Sequence, residues 1–159
     1  LLVETPQDVG IDRSCNVAAA KLLVGTPAIV GDIGSATNYD VVDENGAFIG
    51  GAIAPGIKVA AHNLIEKAAL LNETAFIVPK SAVGKNTETN LQSGIMLGAI
   101  DVVDGMFTRI RGEMNWGKCN MIVTGGFGGL ISPHLKTKHT LLPNLTLDGI
   151  RIIYGNRLN

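Results

Sequence analysis

The stretch GDIGSATNYDVVDENGAFIGG, residues 31–51, contains β-prone segments separated by two turn signals. The first turn follows Asp32 and includes Gly34. The second contains Asn45-Gly46, a pair typical of tight hairpins because both residues tolerate positive φ. Together with the flanking residues, the pattern predicts three antiparallel strands, AIVGDIG, NYDVVDE and AFIGGAIA.

Helical patterns lie on both sides of these strands. The run RSCNVAAAKLLV ends at Gly25, with Pro27 just beyond it, which predicts a helix before the first strand. An amphipathic helix is predicted after the third strand, because apolar residues recur there at helical spacing. These residues are Ile57, Ala61, Leu64, Ala68 and Leu71.

The second half of the chain predicts one further strand and three helices. A polar loop, SAVGKNTETN, leads into a helix from about Glu88 to Arg111. NMIVTGG predicts a buried strand, and a helix follows it to about His134. A last helix lies in LTLDGIRIIYGNRL, where a threonine and an aspartate fit the capping region. The element order predicts a single layered α/β domain.

Composition excludes several classes of protein. Apolar residues make up 46% of the 159 residues, but their runs are too short for a membrane span. The formal net charge is -1 and the basic residues are dispersed, which argues against a nucleic-acid partner. Cys15 and Cys119 lie far apart in apolar surroundings, as reduced, buried thiols of a cytoplasmic protein do.

Glycine clusters are the most informative feature of the composition. The DIGSAT turn can direct backbone N–H groups and the Ser35 and Thr37 hydroxyls at one anion, with Gly34 allowing close approach. Asp32 would repel a phosphate unless a cation lay between them, so the turn predicts either a nucleotide-plus-cation site or an ordinary glycine turn. TGGFGGL, residues 124–130, fits either a ligand-binding edge or tight strand–helix packing.

Two further segments could carry chemistry. In VGIDR, Asp12 is either a helix cap or a general base, and Arg13 offers planar donors to a carboxylate or a phosphate. GKNT, residues 84–87, adds a lysine and a hydroxyl in a polar loop. Gly94 and Gly98 stand one helical turn apart, which predicts a helix interface.

In their order along the chain, GIDR, DIGSAT, GGAIAPG, GKNT with QSGI, TGG and LTLDGIRIIY resemble the type III pantothenate kinases. These are bacterial enzymes of coenzyme A synthesis in the sugar kinase, heat-shock ATPase and actin superfamily. The resemblance covers nearly the whole chain. It implies an α/β, ribonuclease H-like fold, with a mixed β-sheet whose antiparallel hairpin strands are flanked by helices.

The resemblance also implies a domain organisation. Type III pantothenate kinases have two ribonuclease H-like domains. Residues 27–159 would be the C-terminal one, and residues 1–26, with the GIDR motif, would lead in from an N-terminal domain. The chain starts at Leu1 without an initiator methionine, and no first D-x-G phosphate motif precedes its own. We therefore interpret it as a fragment that binds ATP poorly and turns over little by itself.

The resemblance assigns roles to individual residues. Asp12 would be the base that deprotonates the primary hydroxyl of pantothenate, within a pantothenate site formed by Gly10, Ile11, Asp12, Arg13 and Thr87. Ser35 would contact ATP, and we predict that Gly34, Gly125 and Gly126 of the two glycine turns bind ATP with it. Asp32 would be the ligand of a monovalent cation, potassium or ammonium, and Mg²⁺ would accompany ATP. The family is homodimeric, and its pantothenate site draws on both subunits. The glycine-faced helix from Glu88 is our candidate for part of that contact.

Departures from the family pattern leave alternatives open. Ser35 stands where threonine is usual, which keeps the hydroxyl, and Asn38 replaces what is often another threonine. A noncatalytic relative is the alternative function, since a fold does not by itself imply an activity. Another kinase of the superfamily, acting on a sugar or acetate, is a third possibility. Retention of Asp12, Arg13, Asp32 and Thr87 together favours the enzyme.

Overall fold

A computed structural model describes residues 1–68 and 71–155 as a five-stranded sheet with helices on both faces. The strands are β1 (Ala28–Ile33), β2 (Ala36–Val42), β3 (Phe48–Pro55), β4 (Asn120–Thr124) and β5 (Thr140–Leu141). The helices are α1 (Ile11–Leu23), α2 (Ile57–Lys67), α3 (Thr87–Gln92), α4 (Gly98–Glu113), α5 (Gly128–Ile131) and α6 (Leu145–Gly155). Short 3₁₀ turns lie at Pro6–Asp8 and Ser132–His134. Residues 156–158 of the predicted last helix lie outside the described residues, as does Asn159.

The predicted antiparallel strands are confirmed, and the sheet is mixed. Its order is β3-β2-β1-β4-β5, with β1–β2 and β2–β3 antiparallel and β1–β4 and β4–β5 parallel. β5 was not predicted, because a two-residue strand is too short to show an alternating pattern.

The β2–β3 turn differs in detail from the prediction. Gly46 has a positive φ of 79°, whereas Asn45 does not adopt one. The turn runs from Asp43 to Ala47, and the Asp43 carboxylate accepts the backbone N–H groups of Asn45 and Ala47. A side chain therefore stabilises a turn longer than the two-residue hairpin.

Two apolar layers cover the two faces of the sheet. On one face, Ile33 and Tyr39 pack against helices α2 and α4 through residues such as Phe107. On the other, Val30 packs against α1 and α6 through residues such as Leu145. Because strand side chains alternate between faces, Asp32 and Asp40 share the α1 face, which we call the acidic face. Thr37 and Tyr39 share the opposite face.

The predicted helix from Glu88 is interrupted. A π turn over Ser93–Leu97 separates α3 from α4. The predicted packing of a backbone against Gly94 and Gly98 is wrong within this chain, because a Cβ added at either position would meet nothing within 4 Å. The amphipathic helix predicted to extend to Leu71 is also too long, since α2 ends at Lys67.

Two further sequence expectations concern the membrane and the cysteines. Within residues 1–68 and 71–155, the helices are too short or too polar to cross a membrane. Cys15 and Cys119 are both free thiols. Cys15 is buried as expected, but Cys119 is only partly buried.

Candidate active site

The two glycine-rich turns meet at one edge of the sheet. Asp32 near the end of β1 pairs with Thr124 at the end of the parallel strand β4, and Gly125 follows at once. Gly125 has a φ of +88°, and a Cβ there would lie 2.5 Å from Asp32 Oδ1 and 2.6 Å from the Ile33 backbone. Only glycine fits this position, because a side chain would be both strained and in collision.

Both turns are closed by backbone hydrogen bonds. Gly34 N–H donates to the Ala36 carbonyl at 2.9 Å, and Phe127 N–H donates to the Ile33 carbonyl at 2.9 Å. The N–H groups of Ser35 and Gly126 take no part in these hydrogen bonds, and both residues are exposed. The edge therefore offers backbone donors of the kind that bind anions.

The predicted role of the Thr37 hydroxyl is wrong. Thr37 was expected to face the same anion as Ser35. Its side chain is only 5% exposed and lies on the face of the sheet opposite to Asp32. The reason is the two-residue period of the strand, which sends Thr37 to the same face as Tyr39.

The GIDR motif forms the start of α1. Gly10 is the N-cap, and no side chain caps the helix, so Asp12 is not the cap that one interpretation expected. A Cβ at Gly10 would meet Asp12 Oδ1, at the end of an exposed side chain that can move away. Ile11 and Asp12 are exposed, and the negative charge of Asp12 helps to raise the pKa of Asp32. The candidate base is thus accessible and close to the candidate cation ligand.

Arg13 is anchored on the acidic face. Its Nε donates to Asp40 Oδ1 at 2.6 Å, and its guanidinium carbon lies 5.1 Å from the centre of the Phe48 ring. Asp40 is completely buried on β2. Arg13, the predicted donor to substrate, is therefore already bound to Asp40 through its Nε.

Asn16 links the acidic face to the last helix. Its Nδ2 donates to Asp32 Oδ2 at 2.9 Å, and its Oδ1 accepts the Thr146 hydroxyl at 2.7 Å. Thr146, predicted to cap α6, thus bonds to α1 instead. Sequence reasoning missed both Asn16 and Asp40. Their only signal is a polar residue within an otherwise apolar helix or strand, and both are fully buried.

Burial is the main cause of the shifted acidities here. It raises the pKa of Asp32, which the Asn16 hydrogen bond partly offsets and the Asp12 charge reinforces. Burial also raises the pKa of Asp40 to about 6, against the lowering effect of Arg13 and with smaller contributions from Asp32 and Asp12. Asp40 therefore lies in the combined field of Arg13, Asp32 and Asp12.

The raised pKa of Asp40 predicts that the chain gains stability on mild acidification. Because the folded protein binds this proton more tightly than the unfolded chain does, the gain is complete below about pH 4 and is lost as pH rises through about 6. The shift of about two units corresponds to about 3 kcal/mol. Urea unfolding from pH 4 to 7 should give this difference between the native chain and Asp40→Asn. Parallel pH curves would contradict it.

Thr87 lies on the other side of the sheet from Asp12. Asn86 caps α3, accepting the Thr89 N–H at 2.8 Å, and Thr87 is the first residue of that helix. With Thr37 and Tyr39, Thr87 lines an apolar cavity of about 790 Å³. Within one chain the structure does not bring Thr87 together with Asp12.

Carboxylates are the candidate ligands for potassium and magnesium. In residues 1–68 and 71–155, no group of three or more histidine, cysteine, aspartate and glutamate side chains could hold a metal ion. Asp32 can nevertheless contribute one carboxylate oxygen. Asn16 donates to Oδ2 of Asp32, and no hydrogen bond to Oδ1 occurs among the described residues, so the residues present offer one oxygen to a cation.

The sequence was compared with known proteins. A model of the family "Type III pantothenate kinase" matches residues 1–109. The chain is 45% identical to the type III pantothenate kinase of Moorella thermoacetica over 151 residues, 95% of this chain and 59% of that protein. It is also 45% identical to that of Thermomicrobium roseum over 152 residues, 96% of this chain and 58% of that protein. The chain thus spans about three-fifths of the length of the curated relatives it matches.

Solved structures agree on the fold. A protein from Campylobacter jejuni described as a Baf family transcriptional activator matches with a TM-score of 0.68 at 23% identity, covering 100% of this chain and 70% of that one. An archaeal actin homolog matches with a TM-score of 0.55 at 16% identity, covering 92% of this chain and 54% of that one. These likenesses concern the fold alone, and the archaeal actin homolog indicates an actin-like ATPase fold. The match over residues 1–109, more than half of the chain, shows that the chain belongs to the type III pantothenate kinase family.

Proposed function

We propose that this chain is the C-terminal part of a cytoplasmic enzyme that transfers the terminal phosphoryl group of ATP to pantothenate, the first step of coenzyme A biosynthesis. Family membership supports the reaction. The observation that carries it is the convergence of Asp12, Asp32 and Gly125 at the edge where β1 and β4 end. Ligands of open α/β sheets bind at such edges.

Asp12 is the proposed base. It is exposed at the start of α1, where a substrate hydroxyl can reach its carboxylate. Phosphoryl transfer has a loose transition state, so the alcohol loses its proton as the new P–O bond forms. An aligned carboxylate within hydrogen-bond reach is sufficient, and it need not be a strong base. Gly10, Ile11 and Arg13 would line the pantothenate site around it.

Charge neutralisation is the second requirement. Asp32 would hold potassium or ammonium, and the N–H groups of Ser35 and Gly126 would face the ATP phosphates, with Gly34 and Gly125 allowing close approach. When bound, the monovalent cation and the Mg²⁺ on ATP offset negative charge on the phosphates. The other wall of this cleft would belong to an N-terminal domain, which is why we expect the chain alone to be a poor catalyst.

A homodimer would reconcile the positions of Asp12 and Thr87. The two residues lie on opposite faces of one sheet, so a single copy of the chain cannot complete the proposed site. The cavity beside Thr87 includes Leu64 and Val102, which are 47% and 53% exposed, and the open space at Gly94. Such an apolar surface suits burial against a second copy. Because the family resemblance assigns the pantothenate site to both subunits, the second copy's Thr87 would complete the site at Asp12.

The test is ATP-dependent phosphorylation of pantothenate, measured with potassium or with sodium, in the chain and in any longer natural form of it. We expect potassium-dependent turnover in the longer form and little in the chain alone, because the nucleotide cleft needs both walls. Absence of turnover in a folded longer form would favour the noncatalytic alternative. Turnover with a sugar or acetate and not with pantothenate would favour another kinase of the superfamily.

A further inference from the structure

Asp40 is a buried acid that the proposed reaction does not use. It is 0% exposed on β2, and of its two carboxylate oxygens only Oδ1 has a partner, Arg13 Nε. Oδ2 is buried and accepts no hydrogen bond from the residues that the structure describes. A buried carboxylate with an unsatisfied oxygen is costly, and such groups call for a specific explanation.

The Arg13 guanidinium is fixed in one orientation. Asp40 holds its Nε edge, the Phe48 ring lies against its face, and a Cβ at Gly51 would come within 3.0 Å of Nη2. The side chain is only 15% exposed. Because Asp40 engages Nε alone, the donors on both terminal nitrogens stay available for an anion.

The charge balance of the acidic face gives this anchor a second consequence. Arg13 pairs with Asp40, and the charges of Asp12 and Asp32 lie close enough to raise the pKa of Asp40. An unanchored guanidinium would pair with whichever carboxylate is accessible, and Asp12 is exposed. Such a pair would occupy the proposed base.

We propose that Asp40 is a positioning residue, which holds Arg13 by its Nε so that the terminal nitrogens bind a substrate oxyanion and stay off Asp12. The inference rests on the proposed function for the identity of the substrate. The oxyanion is either the carboxylate of pantothenate or a phosphate of ATP. These two sources share the same chemistry, namely bidentate recognition of oxygen by arginine.

A double-mutant cycle tests this role in the kinase assay. Asp40→Asn should raise the KM of one substrate by roughly 10- to 100-fold with little change in kcat, the loss expected for one charge-assisted contact. In an Arg13→Met background, Asp40→Asn should have no further effect on KM, because Asp40 acts through Arg13. Additive effects, or an unchanged KM for both substrates, would overturn the proposal.

Controls identify the oxyanion and separate positioning from stability. A raised KM for pantothenate alone indicates its carboxylate, and an uncharged analogue with a hydroxymethyl group in that place should then be insensitive to Asp40→Asn. A raised KM for ATP alone indicates a phosphate. The matched control is Asp104→Asn, since Asp104 accepts the N–H groups of Lys136 and Thr137 on a remote loop. It should lower the melting temperature and leave both KM values unchanged.

Hydrogen exchange tests the contact between Asp40 and Arg13 without an activity assay, and therefore independently of the proposed function. In a ¹⁵N NMR spectrum of the chain, the Arg13 Nε–H should exchange slowly with solvent, and it should exchange fast in Asp40→Asn but not in Asp104→Asn. Fast exchange in the native chain would overturn the positioning role. If no kinase activity is found while Nε–H is protected by Asp40, the proposed function fails and the anchor stands.

Discussion

Replacing Asp12 by asparagine should lower pantothenate phosphorylation in the catalytically competent protein by roughly 10²- to 10⁴-fold, the usual contribution of a general base. Asparagine has nearly the same size, and Asp12 is exposed, so the fold should be unaffected. The loss should appear in kcat, because the proton moves as the P–O bond forms. A rise in KM alone, with kcat retained, would contradict the role of Asp12 as the base.

Mixing two inactive variants provides the sharper form of this test. If Asp12 of one subunit and Thr87 of the other form a site, a dimer of Asp12→Asn with Thr87→Ala contains one intact site. Random exchange of subunits at equal concentration should therefore restore about a quarter of the native sites. Recovery to that level would support a shared site. Without recovery in samples whose subunit exchange is verified by mass spectrometry, the proposal of a site shared between subunits would be wrong.

Gly149→Ala should destabilise the chain by about 2–3 kcal/mol, which corresponds to a fall in melting temperature of roughly 5–10 °C. Gly149 is buried in α6, and an added Cβ would collide with the Cys15 carbonyl of α1. Helix α1 cannot move away from α6, because Ala19 and Ala20 are fully buried in the layer that covers the sheet. The cost therefore falls on α6 and on the Thr146 bond to Asn16.

The matched control is Gly105→Ala in α4. Gly105 is also helical, but an added Cβ meets nothing within 4 Å. Alanine is the better helix former, so this change should stabilise the chain by up to about 1 kcal/mol. Thermal unfolding of both variants should give opposite signs. A loss of stability in both would mean that the effect at Gly149 is not a matter of helix–helix contact.

Local patterns in the sequence predicted most of the fold. The three hairpin strands follow from alternating β-prone residues and from turns marked by Gly34 and Gly46, since both signals act over a few residues. The N-terminal helix and its end near Gly25 follow from equally local rules. β5 and the π turn at Ser93–Leu97 could not be predicted, because each depends on packing against distant parts of the chain.

The candidate site was predicted only in part. GIDR and DIGSAT stand out because glycine and aspartate lie two positions apart in each. The supporting residues give no such signal: Arg13 pairs with Asp40 over 27 positions, and Thr146 bonds to Asn16 over 130. Contacts at these separations exist only after the sheet and helices assemble, so a single sequence does not reveal them.

The sequence by itself determined the strands, the turns and the resemblance to a kinase family, because these depend on residue order over short distances. The tertiary structure alone decided which helices cover each face of the sheet. The period of two in β2 separates Asp40 from Tyr39, but only long-range packing puts α1 over one and α2 with α4 over the other. That arrangement places Asp12 and Thr87 on opposite sides of the sheet, and it is the physical reason for expecting two subunits at one site.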